Sequence, residues 1–169
     1  MSYTDPTTRT TGDLITAAIW NTDIVANIQA MRPDTGIARR QAVQSIDTSS
    51  DTFITLDTED DDTVGFFDIA TVPTRLTYPY DGVFLVVVGV GFEAGSTGLR
   101  RIEMERNGTD VADASAVMPA LSSGETIVEM TLITPRSAGD YHELEVWHSQ
   151  GSALDATAKI SVATLRNDG

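Results

Sequence analysis

Few side chains in this sequence are of a kind that does chemistry. The imidazoles are His142 and His148, and there are no others. They lie six apart in a stretch that alternates like a strand, so they share a face at a separation of about 20 Å. At that spacing they cannot hold one metal ion within one chain. Hydrogen bonding or a subunit contact is the expected use of each. Between them, Glu143 and Glu145 occupy the other face of the same stretch, about 7 Å apart. Two carboxylates are what a glycosidase needs, but nothing nearby predicts a cleft around them, and a solvated face is expected. No Gly-x-Ser-x-Gly elbow is present to expose a hydrolase serine. Cysteine is absent, which removes disulfides, thiolate zinc sites and cysteine nucleophiles together.

The densest candidate ligand set is Asp57, Glu59, Asp60, Asp61 and Asp62. Oxygen-only donors of this type suit Ca²⁺ or Mg²⁺. The run lacks the Asp-x-Asp-x-Asp-Gly pattern of a calcium loop, and a further acid from Asp68 or another chain would be needed. A solvated acidic loop is the competing reading. No other cofactor is indicated. Asn107-Gly108-Thr109 is a glycosylation sequon, but its first two residues are also the strongest short hairpin signal. A type I′ turn requires positive φ at both, and that role suffices to explain them.

These residues sit in a chain of 169 with 25 Asp and Glu against 11 Lys and Arg, a formal charge of −14. Such a surface repels a phosphate backbone, so binding nucleic acid through a basic face is excluded. No apolar run reaches the roughly 18–20 residues that span a bilayer. Ten of the basic residues are Arg and one, Lys159, is Lys; 17 of the acids are Asp. This composition resembles that of proteins from extreme halophiles, where molar salt screens the self-repulsion. A codon bias that exchanges Lys for Arg is the other explanation.

The elements that would position these groups divide at Pro33. Residues 1–11 read as an extended arm. From Thr16 to Met31, the residues Trp20, Ile24, Ile28 and Met31 recur at helical spacing, with Thr16 as N-cap. A helix of about 15 residues is marginal alone, so its stripe must dock on its own domain, on sister helices or on a larger assembly. After Gly36 nearly everything reads as strand: 38–46, 52–57, 66–69, 74–78, 82–92, 99–106, 110–118, 125–134, 140–149 and 154–165, with Gly/Ser turns between. That succession predicts an all-β antiparallel sandwich or jelly roll over residues 36–169, preceded by an arm and helix over 1–35.

One strand departs from the alternation of a half-wet sheet. Across Val83–Phe92 both parities are apolar. Phe84, Val86, Val88, Val90 and Phe92 can fill the sandwich. Val83, Leu85 and Val87, followed by Gly89 and Gly91, need a second cover. A helix or loop of the same chain would serve, but a subunit interface is the expectation.

The stretch from Phe53 to Thr109 resembles the jelly rolls of tumour necrosis factor and the complement globular heads. The resemblance is carried by Thr77–Asp81, by Gly82-Val83-Phe84-Leu85-Val86, and by the Arg-rich strand entering Asn107-Gly108. "GDYHELEVWHSQG" (Gly139–Gly151) is similar to the penultimate strand of that fold and "ISVATLR" (Ile160–Arg166) to its last. Separately, "TTGDLITAAIWNTDIVANIQAM" (Thr10–Met31) is similar to a leader segment, T-G-x-x-I-T-A-A-x-W-N, of structural proteins of tailed viruses. Together these imply a non-enzymatic virion protein, a homotrimer packed about a threefold axis through Val83, Phe84, Leu85 and Val87, joined by Val162 and Leu165. Attachment to the particle would run through Trp20, Ile24, Ile28 and Met31. The resemblance thus implies a capsid decoration or turret protein on a halophilic, archaeal virus, with other virion proteins as partners. The alternative is a receptor-binding tail fibre or tail-tip module that recognises a host surface through loops 93–98 and 120–124.

Overall fold

The structure is a computed structural model that describes residues 8, 10–25, 27–28, 32–109 and 112–168. Ten strands follow a short helical segment: β1 (Thr35–Ile46), β2 (Thr52–Phe53), β3 (Thr58–Asp62), β4 (Arg75–Thr77), β5 (Gly82–Phe92), β6 (Leu99–Arg106), β7 (Ala112–Pro119), β8 (Thr126–Arg136), β9 (Tyr141–His148) and β10 (Leu154–Asn167). They form two antiparallel sheets. One runs β3-β1-β10-β5-β8; the other runs β2-β9-β6-β7, with β4 also paired to β9. The chain changes sheet at every connection except β6–β7, as a jelly roll requires. That one hairpin turns on Asn107 and Gly108, with φ of 53° and 66°, the left-handed pair its sequence predicts.

The core lies between the sheets. Phe84, Val86, Val88, Val90 and Phe92 of β5 are wholly buried there, and Ile102, Met104, Leu144 and Ile160 meet them. Phe84 packs between Phe66, Tyr78 and Tyr80, with ring centroids 4.6–6.0 Å apart. Gly36 is required beneath this cluster, since a Cβ there would approach the Phe66 ring to 2.9 Å.

Three expectations need correction. The acidic run is not a loop: Thr58–Asp62 is β3, an edge strand on β1. Charged side chains are a normal covering for such an edge, which hides its strand character from a hydrophobic pattern. Residues 66–69 form no strand; their apolar side chains plug the open end of the core. The helix expected over 17–31 is not a uniform α-helix: one α-turn, Ala17–Trp20 (α1), runs into a π-turn, Asn21–Val25, and residues 27 and 28 are helical again, while 26 and 29–31 lie outside the described residues. Thr16 does cap it, its hydroxyl accepting from the Ile19 N–H at 3.3 Å.

Candidate functional site

The outer face of the β5 sheet is built by register. In an antiparallel ladder, residues opposite one another share a face. Leu85 lies between Ala163 of β10 and Ile133 of β8, and Val87 between Ser161 and Thr131. Gly89 lies between Lys159 and Glu129, and Gly91 between Thr157 and Ile127. These rows run across the sheet like rungs. The half near the start of β5 is apolar: Val83, Leu85, Val87, Ala163, Ile133 and, at the β10 bulge, Leu165. Val87 is 42% exposed, Leu165 53% and Ile133 65%, so the described residues leave that half largely open.

The other half is bare and charged. Gly89 and Gly91 leave backbone as the floor of a depression of about 390 Å³, edged by Arg39, Lys159, Glu125 and Ile127. Arg39 pairs with Asp60 at 2.5 Å. Lys159 and Glu129 make no ion pair among the described residues, although only Gly89 separates their strands. Glu125 folds back over Gly91.

Four of the six expected interface residues therefore lie on this outward face: Val83, Leu85, Val87 and Leu165. Phe84 and Val162 do not. Both are on the core parity, Phe84 fully buried and Val162 3% exposed, and neither reaches the outer surface. Ile133 and Ile127 were missed; their signal is the wet parity of β8, which carries two isoleucines beside Glu129 and Thr131.

Of the expected attachment residues, Trp20 is half exposed, Ile24 half-buried and Ile28 54% exposed. Met31 lies outside the described residues.

The acidic run is dispersed instead of convergent. Asp57 accepts the Gln41 and Ala42 N–H groups at the bulge of β1 and faces Arg40 at 3.4 Å; these backbone hydrogen bonds hold its carboxyl below the ordinary range. Asp60 pairs with Arg39, and Asp61 accepts the Thr35 hydroxyl at 2.6 Å. Asp62 accepts four successive N–H groups, from Val64 to Phe67, at 2.8–3.2 Å. Asp57 and Asp62 tether backbone, Asp60 and Asp61 engage side chains, and Glu59 is exposed; among the described residues no group of three or more acids or histidines is arranged to hold a metal ion.

The two histidines are core residues. His148 lies 2.9 Å from the Ile46 carbonyl through Nε2, and its Nδ1 accepts from Gln150 N–H at 3.3 Å. His142 bridges the Tyr78 hydroxyl, 2.7 Å from Nδ1, and Asp113, 2.8 Å from Nε2; Arg136 ion-pairs with the same carboxylate. With Asp113 already engaged by Arg136, burial dominates. It pushes the His142 pKa down to about 3, with Arg136 and Arg106 adding to the shift. A neutral ring then donates from Nε2 to Asp113 and accepts the Tyr78 proton at Nδ1. The His142 ring is wholly buried while Asp113 reaches the surface, and the constellation links β8 of one sheet to β7 and β9 of the other. No residue type or spacing in the sequence announced it.

Glu143 and Glu145 do face away from the core, but not into a solvated surface. Glu143 is buried beneath Thr74 and Arg75, accepting from the Thr74 hydroxyl at 2.6 Å. Glu145 stands directly opposite Glu103. Burial, then the charges of Asp51, Glu105 and Glu103, push its pKa up to about 7 against the pull of Arg101. The Asn107 sequon side chain is also engaged: its amide donates to Asp140 at 2.8 Å and its carbonyl accepts from Tyr141 N–H at 2.8 Å.

At the far end from the helix, Arg100 is completely buried. Its guanidinium donates to the carbonyls of Gly95, Thr97 and Leu99 and to the Gln150 side chain, at 2.9–3.2 Å. It fixes the 93–98 loop against the β9–β10 turn. Any side chain at Gly98, where φ is 78°, would strike the backbone of Ser149.

No family model matches this chain, and no curated protein matches it. Its similarity is to solved structures. The globular domain of a zebrafish complement 1qA protein aligns over 80% of this chain and 99% of that one, with a TM-score of 0.64 and 14% identity. Eiger TNF from S. frugiperda aligns over 82% and 96%, at 0.56 and 10%. The vertex protein P5 of PRD1 aligns over 78% and 96%, at 0.58 and 14%. The chain carries the jelly-roll fold that the complement head, the tumour-necrosis-factor domain and this viral vertex protein share.

Proposed function

We propose that this chain is a non-enzymatic virion structural protein, a homotrimeric jelly-roll head mounted on a viral particle through residues 1–35. The observation that carries the reading is the outward apolar row of β5. Val83, Leu85 and Val87 stand where an isolated domain would place polar residues, and among the described residues Val83 and Leu85 are only half covered and Val87 is exposed. A second copy of the chain fits this face, because burying it removes apolar area from water on both partners. The exposed Trp20 and Ile28 of the helical segment supply a separate surface for another virion protein. Likeness in fold to the PRD1 vertex protein supports a place on a particle. Among the described residues no helix is long and apolar enough to cross a membrane. The engaged histidines and the tethered carboxylates speak against an active site. The halophilic composition extends the reading to a virus of a salt-adapted host.

A capsid decoration or turret protein is the preferred role, since clamping shell subunits stabilises a particle by mass action. A receptor-binding tip is the second reading, and Arg100 favours it: a buried cation that fixes loop 93–98 gives a recognition loop its shape in advance. Copy number separates the two. Quantitative protein stoichiometry on purified particles, with light scattering on the free protein in molar salt, is expected to give hundreds of copies and a trimer. A handful of copies would shift the role to the tail tip. Absence from particles would overturn the virion reading.

A further inference from the structure

The charged half of the outer face carries a consequence for how copies meet. Resting on the trimeric reading above, we propose that Lys159 of each copy pairs with Glu129 of the next copy around the ring, and that this contact fixes the height and rotation at which the apolar rows meet. The argument is geometric. A closed ring uses two different patches of each chain, one meeting the other. Rotation about an axis leaves the height of every residue along that axis unchanged. For an axis that runs along the strands, residues in the same cross-strand row therefore face each other between copies. Lys159, Gly89 and Glu129 form one such row, with Lys159 on central β10 and Glu129 on edge strand β8. Ala163, Leu85 and Ile133 form another. When the β8 edge of one copy lies on the β10–β5 face of the next, Ile133 meets Leu85 and Ala163, and Glu129 meets Lys159.

The local surroundings leave these two groups available. Lys159 is the single lysine of a chain with net charge −14, it is exposed, and it makes no ion pair among the described residues. Its basic neighbours Arg39 and Arg40 already face Asp60 and Asp57. Glu129 is exposed and likewise without an ion pair among the described residues; its side chain leans over Gly89, 3.7 Å from where a Cβ would stand. Glycine at 89 and 91 keeps the floor of this face at backbone level, with Glu129 leaning over the first and Glu125 over the second.

The test uses Lys159→Glu, Glu129→Lys and the double exchange, each in the full chain, at the lowest salt at which the parent trimer is fully assembled. Light scattering reads the oligomer and circular dichroism checks the fold. Each single variant is expected to dissociate with a dissociation constant raised about tenfold or more. The double exchange is expected to restore assembly. Glu129→Lys is the discriminating variant. It lowers the net negative charge, so general repulsion predicts a tighter trimer, whereas pairing predicts a weaker one. Mixing the two single variants is expected to drive mixed rings, because two of the three contacts then match, whereas a pair made within one chain would give no such preference. Parent-like assembly of both single variants, or a double exchange that stays dissociated, overturns the pairing and leaves the trimer intact. A parent that is monomeric at every salt concentration overturns the pairing together with the reading it rests on.

Discussion

His142 and Glu145 belong to the same strand, yet their environments push them in opposite directions. In an unfolded chain His142 would take a proton near its ordinary pKa of 6.5, whereas inside the sandwich it resists until about 3. The unfolded state binds that proton first. The contribution of the neutral ring is therefore complete above pH 6.5 and lost as pH falls from there toward 3. Glu145 has an ordinary value of 4.5 and a folded value of about 7. Here the folded state keeps the proton longer, so its contribution is complete below 4.5 and lost as pH rises through 7. Thermal melts between pH 4 and 8 are expected to show both slopes. Glu145→Gln should flatten the loss between 4.5 and 7. His142→Phe should flatten the loss below 6.5 and cost about 1–3 kcal/mol at neutral pH, because Tyr78 and Asp113 lose a buried partner. Unchanged slopes in either variant would refute its assignment. None of this was readable beforehand. The partners of His142 come from β7, β8 and the segment before β5, and only the fold brings them within 3 Å.

At the scale of elements, legibility followed how much of a strand is buried. Gly82–Phe92 and Leu99–Arg106 are strands over the limits read from the sequence, because one is apolar on both faces and the other alternates without exception over its core half. Thr58–Asp62 was missed because an edge strand with mostly exposed side chains has no hydrophobic period to read. The helix hid its irregularity for a related reason: a stripe of Trp20, Ile24 and Ile28 fits a 3.6-residue period and says nothing of the π-turn at Asn21–Val25. The outward apolar face was legible by parity alone, and Phe84 and Val162 are one step off that parity. Adjacent positions on β5 therefore give a sharp contrast. Phe84→Ala is expected to cost about 3–5 kcal/mol of monomer stability through the cavity it leaves. Leu85→Asp is expected to leave far-UV circular dichroism unchanged and to dissolve the trimer, since it buries an unpaired carboxylate between copies. Denaturant melts and light scattering on the two variants read both effects. A trimer that survives Leu85→Asp would remove this face from the interface.

For the molecule as a whole, the decisive features lie at its two ends and in its charge. Both strand termini, Asp34 leading into β1 and Asp168 following β10, lie at one end, where Asp34 accepts from Thr164 N–H and Asp168 donates to the Asp81 carbonyl. The chain enters β1 at that end, and the loop clamped by Arg100 lies at the other. That polarity makes mounting and presentation separable. Among the described residues the core takes no side chain from before Ala38, apart from the close fit of Gly36. Deleting residues 1–31 is therefore expected to leave a folded trimeric head with an unchanged melting temperature at a given salt concentration. In the proposed trimer three copies would bring a large negative charge together, and raising salt shortens the screening length from about 10 Å at 0.1 M to about 3 Å at 1 M. Both full-length and truncated heads should gain stability over that range. Only the full-length head should then join particles when added to virions stripped of it, with sedimentation of the particle fraction as the readout. If the truncated head joins equally well, the mount lies on the sandwich, and the exposed Trp20 and Ile28 must serve some other contact.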